Sequence, residues 1–259
     1  MALTQQQILQ VETVLRNSLR HKFQSYNPEP AAMPFHTRLL GSDRMALFSF
    51  IHSLNTNFGT SIFEPVAVAI AKSNFAYAET QQSAGNKISS EAQRVIQNII
   101  DGLSAASTSP NKIQEIEAIR KVCQSGELKT VKTTKVDIKL LGHDGTVYLI
   151  DLKTAKPNAG EFREFKRTLL EWVAVTLATS PTANIQTIIA IPYNPYEPQP
   201  YNRWTIRGML DLDNELKVAA EFWDFLGGQG AYNDLLDIFE RIGLELRPEI
   251  DEYFARYNR

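Results

Sequence analysis

The chain has 259 residues, 43% of them hydrophobic, enough to bury the core of one large domain or two small ones. A formal net charge of -2 at pH 7 argues against a protein that coats nucleic acid indiscriminately, but it leaves room for a local basic surface. Cys123 is the one cysteine, which excludes an internal disulfide framework, and His21, His36, His52 and His143 are too scattered to give zinc-ligand spacing.

The N-terminal stretch MALTQQQILQVETVLRNSLRHKF lacks the apolar core of a secretory signal and predicts an amphipathic helix with Ile8, Val11, Leu15 and Leu19 along one stripe. The longest apolar runs, FEPVAVAIA and IQTIIAIP, fall short of the roughly 18 residues a membrane span needs, so a soluble, cytoplasmic protein is expected. A Pro-broken connection, YNPEPAAMPFHTRLLGSDR, carries Arg38 and Arg44, and two helices follow, MALFSFIHSLNTNFG and TSIFEPVAVAIAK. SSEAQRVIQNIIDGL predicts a helix with a Ser N-cap and Ile96, Ile99 and Ile100 on one face, and KIQEIEAIRKVCQSG a shorter helix ending at Gly126. Residues 136–156, VDIKLLGHDGTVYLIDLKTAK, read as a β-hairpin around a Gly-His-Asp-Gly turn. After it, GEFREFKRTLLEWVAVTLATSP places Phe162, Phe165, Leu169, Trp172 or Val173, and Leu177 at helical spacing, and IQTIIAIPYN is a buried strand. A Pro- and Tyr-rich loop with Tyr193, Tyr196, Tyr201 and Trp204 leads to two closing helices, YNDLLDIFERIG and RPEIDEYFARY. The expectation is a single domain, 1–259: helical over 1–125, a hairpin, helix and strand core over 126–207, and helical again over 208–259. Charge is uneven along it, with five Lys or Arg against two Glu from Lys153 to Arg167, and twelve acids against five bases from Gly208 onward.

The hairpin carries charge where strands disfavour it. With the turn centred on Asp144, antiparallel pairing opposes residues whose numbers sum to 288, which sets Asp137 across from Asp151. Alternation puts Lys153 on the face of Asp151, with Leu152 directed to the core. Opposed like charges repel across a strand pair, so something must offset them. Two adjacent carboxylates form a hard, oxygen-rich site suited to Mg²⁺, and Lys153 is placed to orient a water or to stabilise charge building on phosphorus. The plainer alternative is a surface hairpin with a salt bridge from Lys153 to one acid.

An acid on one strand, a tight turn, and Asp151-Leu152-Lys153 on the next resemble the PD-(D/E)XK nuclease superfamily, although Val136 stands where its name has Pro. The resemblance implies an α/β (α+β) fold, a mixed β-sheet core flanked by helices. It also implies a Glu from a helix before the hairpin, and Glu64 in GTSIFEPVAVAIAK resembles that element. Alternatively, Ser61 to Glu64 form a capping box at a helix start marked by Pro65. PFHTRLL, FSFIHSLNTNFGTSIFEPVAVAIA, the hairpin with FREFKRTLLEW, IPYNPYEPQPYNRW and AEFWDFLGGQGAYNDLL together resemble the TdeIII and MjaII group of type II restriction endonucleases. That implies a Mg²⁺-dependent enzyme, with Mn²⁺ substituting, cutting double-stranded DNA at a short palindrome such as GGNCC. It further implies a homodimer matched to a two-fold site, and a cognate DNA methyltransferase that is not a stable subunit.

The site residues expected are therefore Asp137, Asp151, Lys153 and Glu64, the three acids as metal ligands. Lys156, Arg163, Lys166 and Arg167 follow the hairpin on a helix with an apolar opposite face and are candidates for phosphate contact, or an exposed face balanced by Glu161 and Glu164. Arg38, Arg44, Arg203 and Arg207 are candidates for reading bases, since Arg makes the bidentate guanine contact. Glu115 and Glu117 read as a solvated helix face, and the loop aromatics either stack on bases, join a dimer surface or pack over the sheet edge. A structure-specific repair or recombination nuclease with the same core, and a non-catalytic DNA-binding protein, are the competing readings.

Overall fold

The computed structural model describes residues 2–27, 33–153, 161–201 and 208–256, the side chains of 55–57 excepted. In chain order the elements begin with α1 (Gln5–Ser25), α2 (Pro34–Leu40), α3 (Ser42–Phe58), a π-helical turn (Gly59–Phe63) and α4 (Glu64–Ala71). Then come β1 (Tyr77–Gln82), β2 (Lys87–Ser89), α5 (Ser90–Ser104), α6 (Lys112–Arg120), β3 (Leu128–Thr130), β4 (Val136–Leu141) and β5 (Val147–Leu152). The chain closes with α7 (Phe162–Thr179), β6 (Ile185–Ile191), α8 (Leu212–Glu215), β7 (Leu216–Val218), α9 (Ala220–Gly227) and α10 (Ala231–Ala255). These fall into two compact units, Met1–Ile70 with Gly227–Arg259, and Ala71–Leu226.

The first unit is helical. Thr4 and Gln7 form a reciprocal capping box that starts α1, and Ile8, Val11 and Leu15 bury the predicted stripe. Helix α10 packs along α1. Arg16 pairs with Glu245, Arg20 with Glu249 and Arg241 with Glu12, while Phe23, Phe50, Tyr253 and Phe254 form an aromatic cluster. Two sequence expectations change here. The Pro-broken connection folds in part as α2, begun by Pro34 at its first turn. The two closing helices are one, α10, with Pro248 inside it. Its buried stripe of Leu235, Ile238, Ile242, Leu246 and Tyr253 runs on past the proline, so packing overrides the local cost of the lost amide donor.

The second unit is built on a five-stranded mixed sheet in the order β1-β4-β5-β6-β7, as the fold class anticipated. The pairs β1/β4 and β4/β5 are antiparallel; β5/β6 and β6/β7 are parallel. Helix α7 makes the crossover from β5 to β6, as parallel neighbours require, and packs on β6, α5 and α6. Leu169, Leu170, Trp172, Val173 and Leu177 of α7 meet a core that includes Ile138, Leu140, Leu149, Ile150, Ile188 and Ile191. Strand β5 is central and largely covered, which makes a charge on it costly and its position informative. A second, two-stranded sheet pairs β2 with β3.

Candidate active site

The turn from β4 to β5 closes at Gly142–Thr146: the Gly142 amide donates to the Thr146 carbonyl, and Gly145 adopts a φ of 82° that favours glycine. Asp144 accepts from the Thr146 amide and hydroxyl, and those bonds hold its carboxyl below the usual range. This fixes the register, with Ile138 opposite Ile150, Leu140 opposite Tyr148 and Leu141 opposite Val147, every pair summing to 288. The paired ladder ends at Ile138 and Ile150, and just beyond it the Asp137 carboxylate, not a backbone carbonyl, meets the next amide of β5.

Asp137 Oδ2 accepts a hydrogen bond from the Leu152 amide at 2.8 Å, and its Oδ1 accepts from Gln81 Nε2 at 3.2 Å. The Asp151 side chain, only 8% exposed, lies 2.7 Å through Oδ1 from Lys153 Nζ. Burial pushes the Asp151 carboxyl up to about 7; the Lys153 charge and hydrogen bond oppose the rise, and Asp137 adds to it. Lys153 follows the end of β5, where its amide donates to the Ala190 carbonyl of β6. Its side chain is 26% exposed, within reach of solvent and ligand, and Nζ sits 4.5 Å from the Phe165 ring centroid. Leu152, expected in the core, is half-buried.

Two carboxylates and one ammonium leave this cluster one negative charge in excess. The donor set is oxygen-only and hard, and the carboxylate that burial has destabilised as an anion is the one a cation would relieve, so the residues fit a divalent ion of the Mg²⁺ kind. Among the described residues no group of three or more His, Cys, Asp or Glu gathers to hold a metal. The sheet unit thus offers a pair of carboxylates, so water and substrate oxygens would have to complete the shell.

Glu64 belongs to the helical unit and is 3% exposed. The capping-box alternative does not hold: Ser61 lies within the π-helical turn, and the backbone at Glu64 is already helical at φ -62°, ψ -51°, so α4 continues that turn without a break.

Lys166 is a correction. Expected as a phosphate contact on an exposed face, it is fully buried in α7, with Nζ 2.6 Å from both Glu115 Oε2 and Glu215 Oε2. Glu115, expected on a solvated face, is buried with it. Lys112 Nζ completes the group, 2.8 Å from Glu215 Oε1 and also bonded to the Thr187 hydroxyl. Burial would raise the Glu215 carboxyl, but Lys112 and Lys166 hold it below its usual range; burial lowers Lys112, with one close carboxylate in its favour and Lys166 repelling it. Both values fall, which favours the charged carboxylate and disfavours the charged ammonium: two close cations outweigh burial at Glu215, and one close carboxylate does not outweigh it at Lys112.

Of the other basic candidates, Arg38 and Arg44 are exposed in the helical unit, and Arg44 donates to the Leu40 carbonyl. Arg163 is exposed on α7, 3.7 Å from Asp101, and Arg167 donates to Gln97. Lys156, Arg203 and Arg207, with Trp204, lie outside the described residues. Tyr193 is exposed, and Tyr196 and Tyr201 pack on each other. Glu117 is exposed as expected, and Cys123 is a buried free thiol. Gln81 and Phe165 are neighbours of the cluster that sequence reasoning missed. Gln81 lies in a polar edge strand with no periodic signal, and Phe165 was absorbed into the apolar stripe of α7.

The family model described as type II restriction endonuclease, HinfI, matches residues 3–243. The chain belongs to that family. Among curated relatives, the type II restriction enzyme HgiBI of Herpetosiphon aurantiacus is 27% identical over 256 residues, covering 94% of this chain and 91% of the relative. HgiEI of the same organism is 29% identical over 225 residues, covering 85% and 80%. MjaII of Methanocaldococcus jannaschii, to whose group the sequence resemblance pointed, is 27% identical over 226 residues, covering 83% of this chain and 59% of the relative. A HinfI-family member is a nuclease that acts on DNA, and the hairpin cluster lies within the matched span. No helix among the described residues is long and apolar enough to cross a membrane.

Proposed function

We propose that the chain is a Mg²⁺-dependent type II restriction endonuclease with a PD-(D/E)XK site, cutting both strands of duplex DNA at a short palindrome. The observation that carries this reading is the buried Asp151, with Lys153 Nζ 2.7 Å away and the half-buried Asp137 beside it on the neighbouring strand. Asp137 and Asp151 would hold the cation; when bound, it supplies a polarised phosphate and a bound water of lowered pKa. Lys153, held by Asp151 and the Phe165 ring, orients the water or meets the charge that grows on phosphorus. The Leu152 amide and Gln81 keep Asp137 in place. Water forms one P–O bond, one ester P–O bond breaks, and the proton that water loses is matched by one taken up at the leaving oxygen. No covalent enzyme intermediate is required.

Finer features rest on the family resemblance: GGNCC as the site, Mn²⁺ in place of Mg²⁺, a cytoplasmic homodimer, Glu64 as a further carboxylate of the reaction, and a separate methyltransferase of matching specificity. Arg38, Arg44, Arg163, Lys156, Arg203 and Arg207 are proposed DNA contacts; Lys166 is not. The test is digestion of a plasmid of known sequence with Mg²⁺ and with chelator, followed by mapping of the ends. Discrete ends at one short palindrome with Mg²⁺ alone are expected, and Asp151→Asn and Lys153→Ala should bind DNA without cutting it. Wild-type-like cutting by either variant refutes the site.

A further inference from the structure

Gln81 combines two unusual features at one position. Its φ is 55°, in the left-handed region, yet it is not glycine and not one of the residue types enriched there. It also donates from Nε2 to Asp137 Oδ1 at 3.2 Å. The β1/β4 ladder pairs Thr80 with Ile138 and Gln82 with Val136, so Gln81 stands across from Asp137 at the position between. A left-handed residue of this kind costs the folding equilibrium about a 5- to 30-fold factor, and such strain persists only where surrounding structure over-determines it.

We propose that Gln81 is a positioning residue for the reaction: it leaves regular strand geometry so that its carboxamide locks Asp137 in the pose that faces Asp151. The inference rests on the reading of the Asp137–Asp151 pair as the active site. Asp137 is then gripped from both sides, Oδ2 by the backbone of β5 and Oδ1 by the edge strand. Without the second grip a single hydrogen bond, from the Leu152 amide, is left to hold the carboxylate against repulsion from a like charge. Gln81 keeps the pair convergent before a cation arrives, which is preorganisation of a ligand by a neighbour.

Two variants, with Gln81→Ala as the reference for the second, separate the parts of the argument. Gln81→Met keeps the volume and loses the donor; Gln81→Gly loses the donor and relieves the backbone. With duplex DNA and Mg²⁺, Gln81→Met is expected to lose about 10–100-fold in kcat with KM for DNA unchanged, and to need more Mg²⁺ for half-maximal rate. In chelator, without any metal, Gln81→Gly is expected to melt about 2–4 °C above Gln81→Ala, because only glycine accepts the left-handed backbone without strain. Wild-type kcat in Gln81→Met, or a Gln81→Gly midpoint no higher than that of Gln81→Ala, overturns the proposal. A wild-type protein that fails to cut with Mg²⁺ sinks the active-site reading itself, and this inference with it.

Discussion

Asp151→Asn should make the metal-free protein more tolerant of alkaline pH, and the structure sets how much. The Asp151 carboxyl titrates near 7 in the folded protein against an ordinary value of 3.8, with burial the first cause. A raised carboxylate pKa means that the folded state holds a proton the unfolded state has released, so stability falls as pH rises from about 4 to about 7. The ceiling is about three pH units at about 1.4 kcal/mol each, or about 4 kcal/mol. Between about pH 5 and about pH 8 the portion lost is about 2–3 kcal/mol. Asparagine is neutral throughout, so the stability difference between variant and wild type should shift by that amount in the variant's favour across the interval. The histidines titrate in both proteins and cancel in the difference. Urea unfolding followed by circular dichroism, in chelator and at both pH values, measures it. Added Mg²⁺ at about pH 8 should recover most of the loss in wild type and little in the variant. A difference that stays within about 0.5 kcal/mol at both pH values refutes the claim that burial of an excess negative charge shapes this site.

Three further outcomes are expected. Lys166→Met leaves Glu115 and Glu215 without a shared cation and should cost about 3–5 kcal/mol in urea unfolding, while the salt dependence of DNA binding stays unchanged because Lys166 meets no phosphate. Phe165→Leu should lower the cleavage rate and Phe165→Trp largely retain it, since an aromatic face under Lys153 Nζ is the feature used. Ser89→Ala removes the α5 N-cap bond to the Ala92 amide and the bond to the Val122 carbonyl, and should cost about 1–2 kcal/mol in thermal or urea unfolding.

The hairpin was legible because two-residue alternation and a Gly-rich turn leave little freedom: once Asp144 is placed, every partner follows by arithmetic, and the ladder agrees. The long crossover helix and the strand after it were legible for a similar reason, a clear period. Strand β1 was not, since in YAETQQ only Ala78 is buried and an edge strand needs no alternation. Lys166 was misplaced despite a signal: it falls four residues after Phe162 and three before Leu169, inside the apolar stripe, where a Lys is buried and must be paired. Lys112, Glu115, Ile116 and Ile119 repeat that pattern on α6, so two helices each carrying charge on their core-facing side announced a buried ionic group. Which charge meets which is a tertiary fact that no single period contains.

Charge balance then separates the two ionic groups of the sheet unit. Lys112, Lys166, Glu115 and Glu215 count two of each sign, and Glu215 is held below its usual range as a partner to cations. Each carboxylate of that group has a lysine beside it, although burial still disfavours the Lys112 charge, and removing one member harms the rest. Asp137, Asp151 and Lys153 count two against one: burial raises Asp151 to about 7, Lys153 opposes that rise, and Asp137 adds to it. A folded chain that merely needed a salt bridge at the end of β5 would do better with Asp137 replaced by a neutral residue, because Asp137 adds to the cost. Asp151 on its covered strand, with Asp137 held beside it by the Leu152 amide and by Gln81, instead spends folding stability on a charge that a bound cation would relieve.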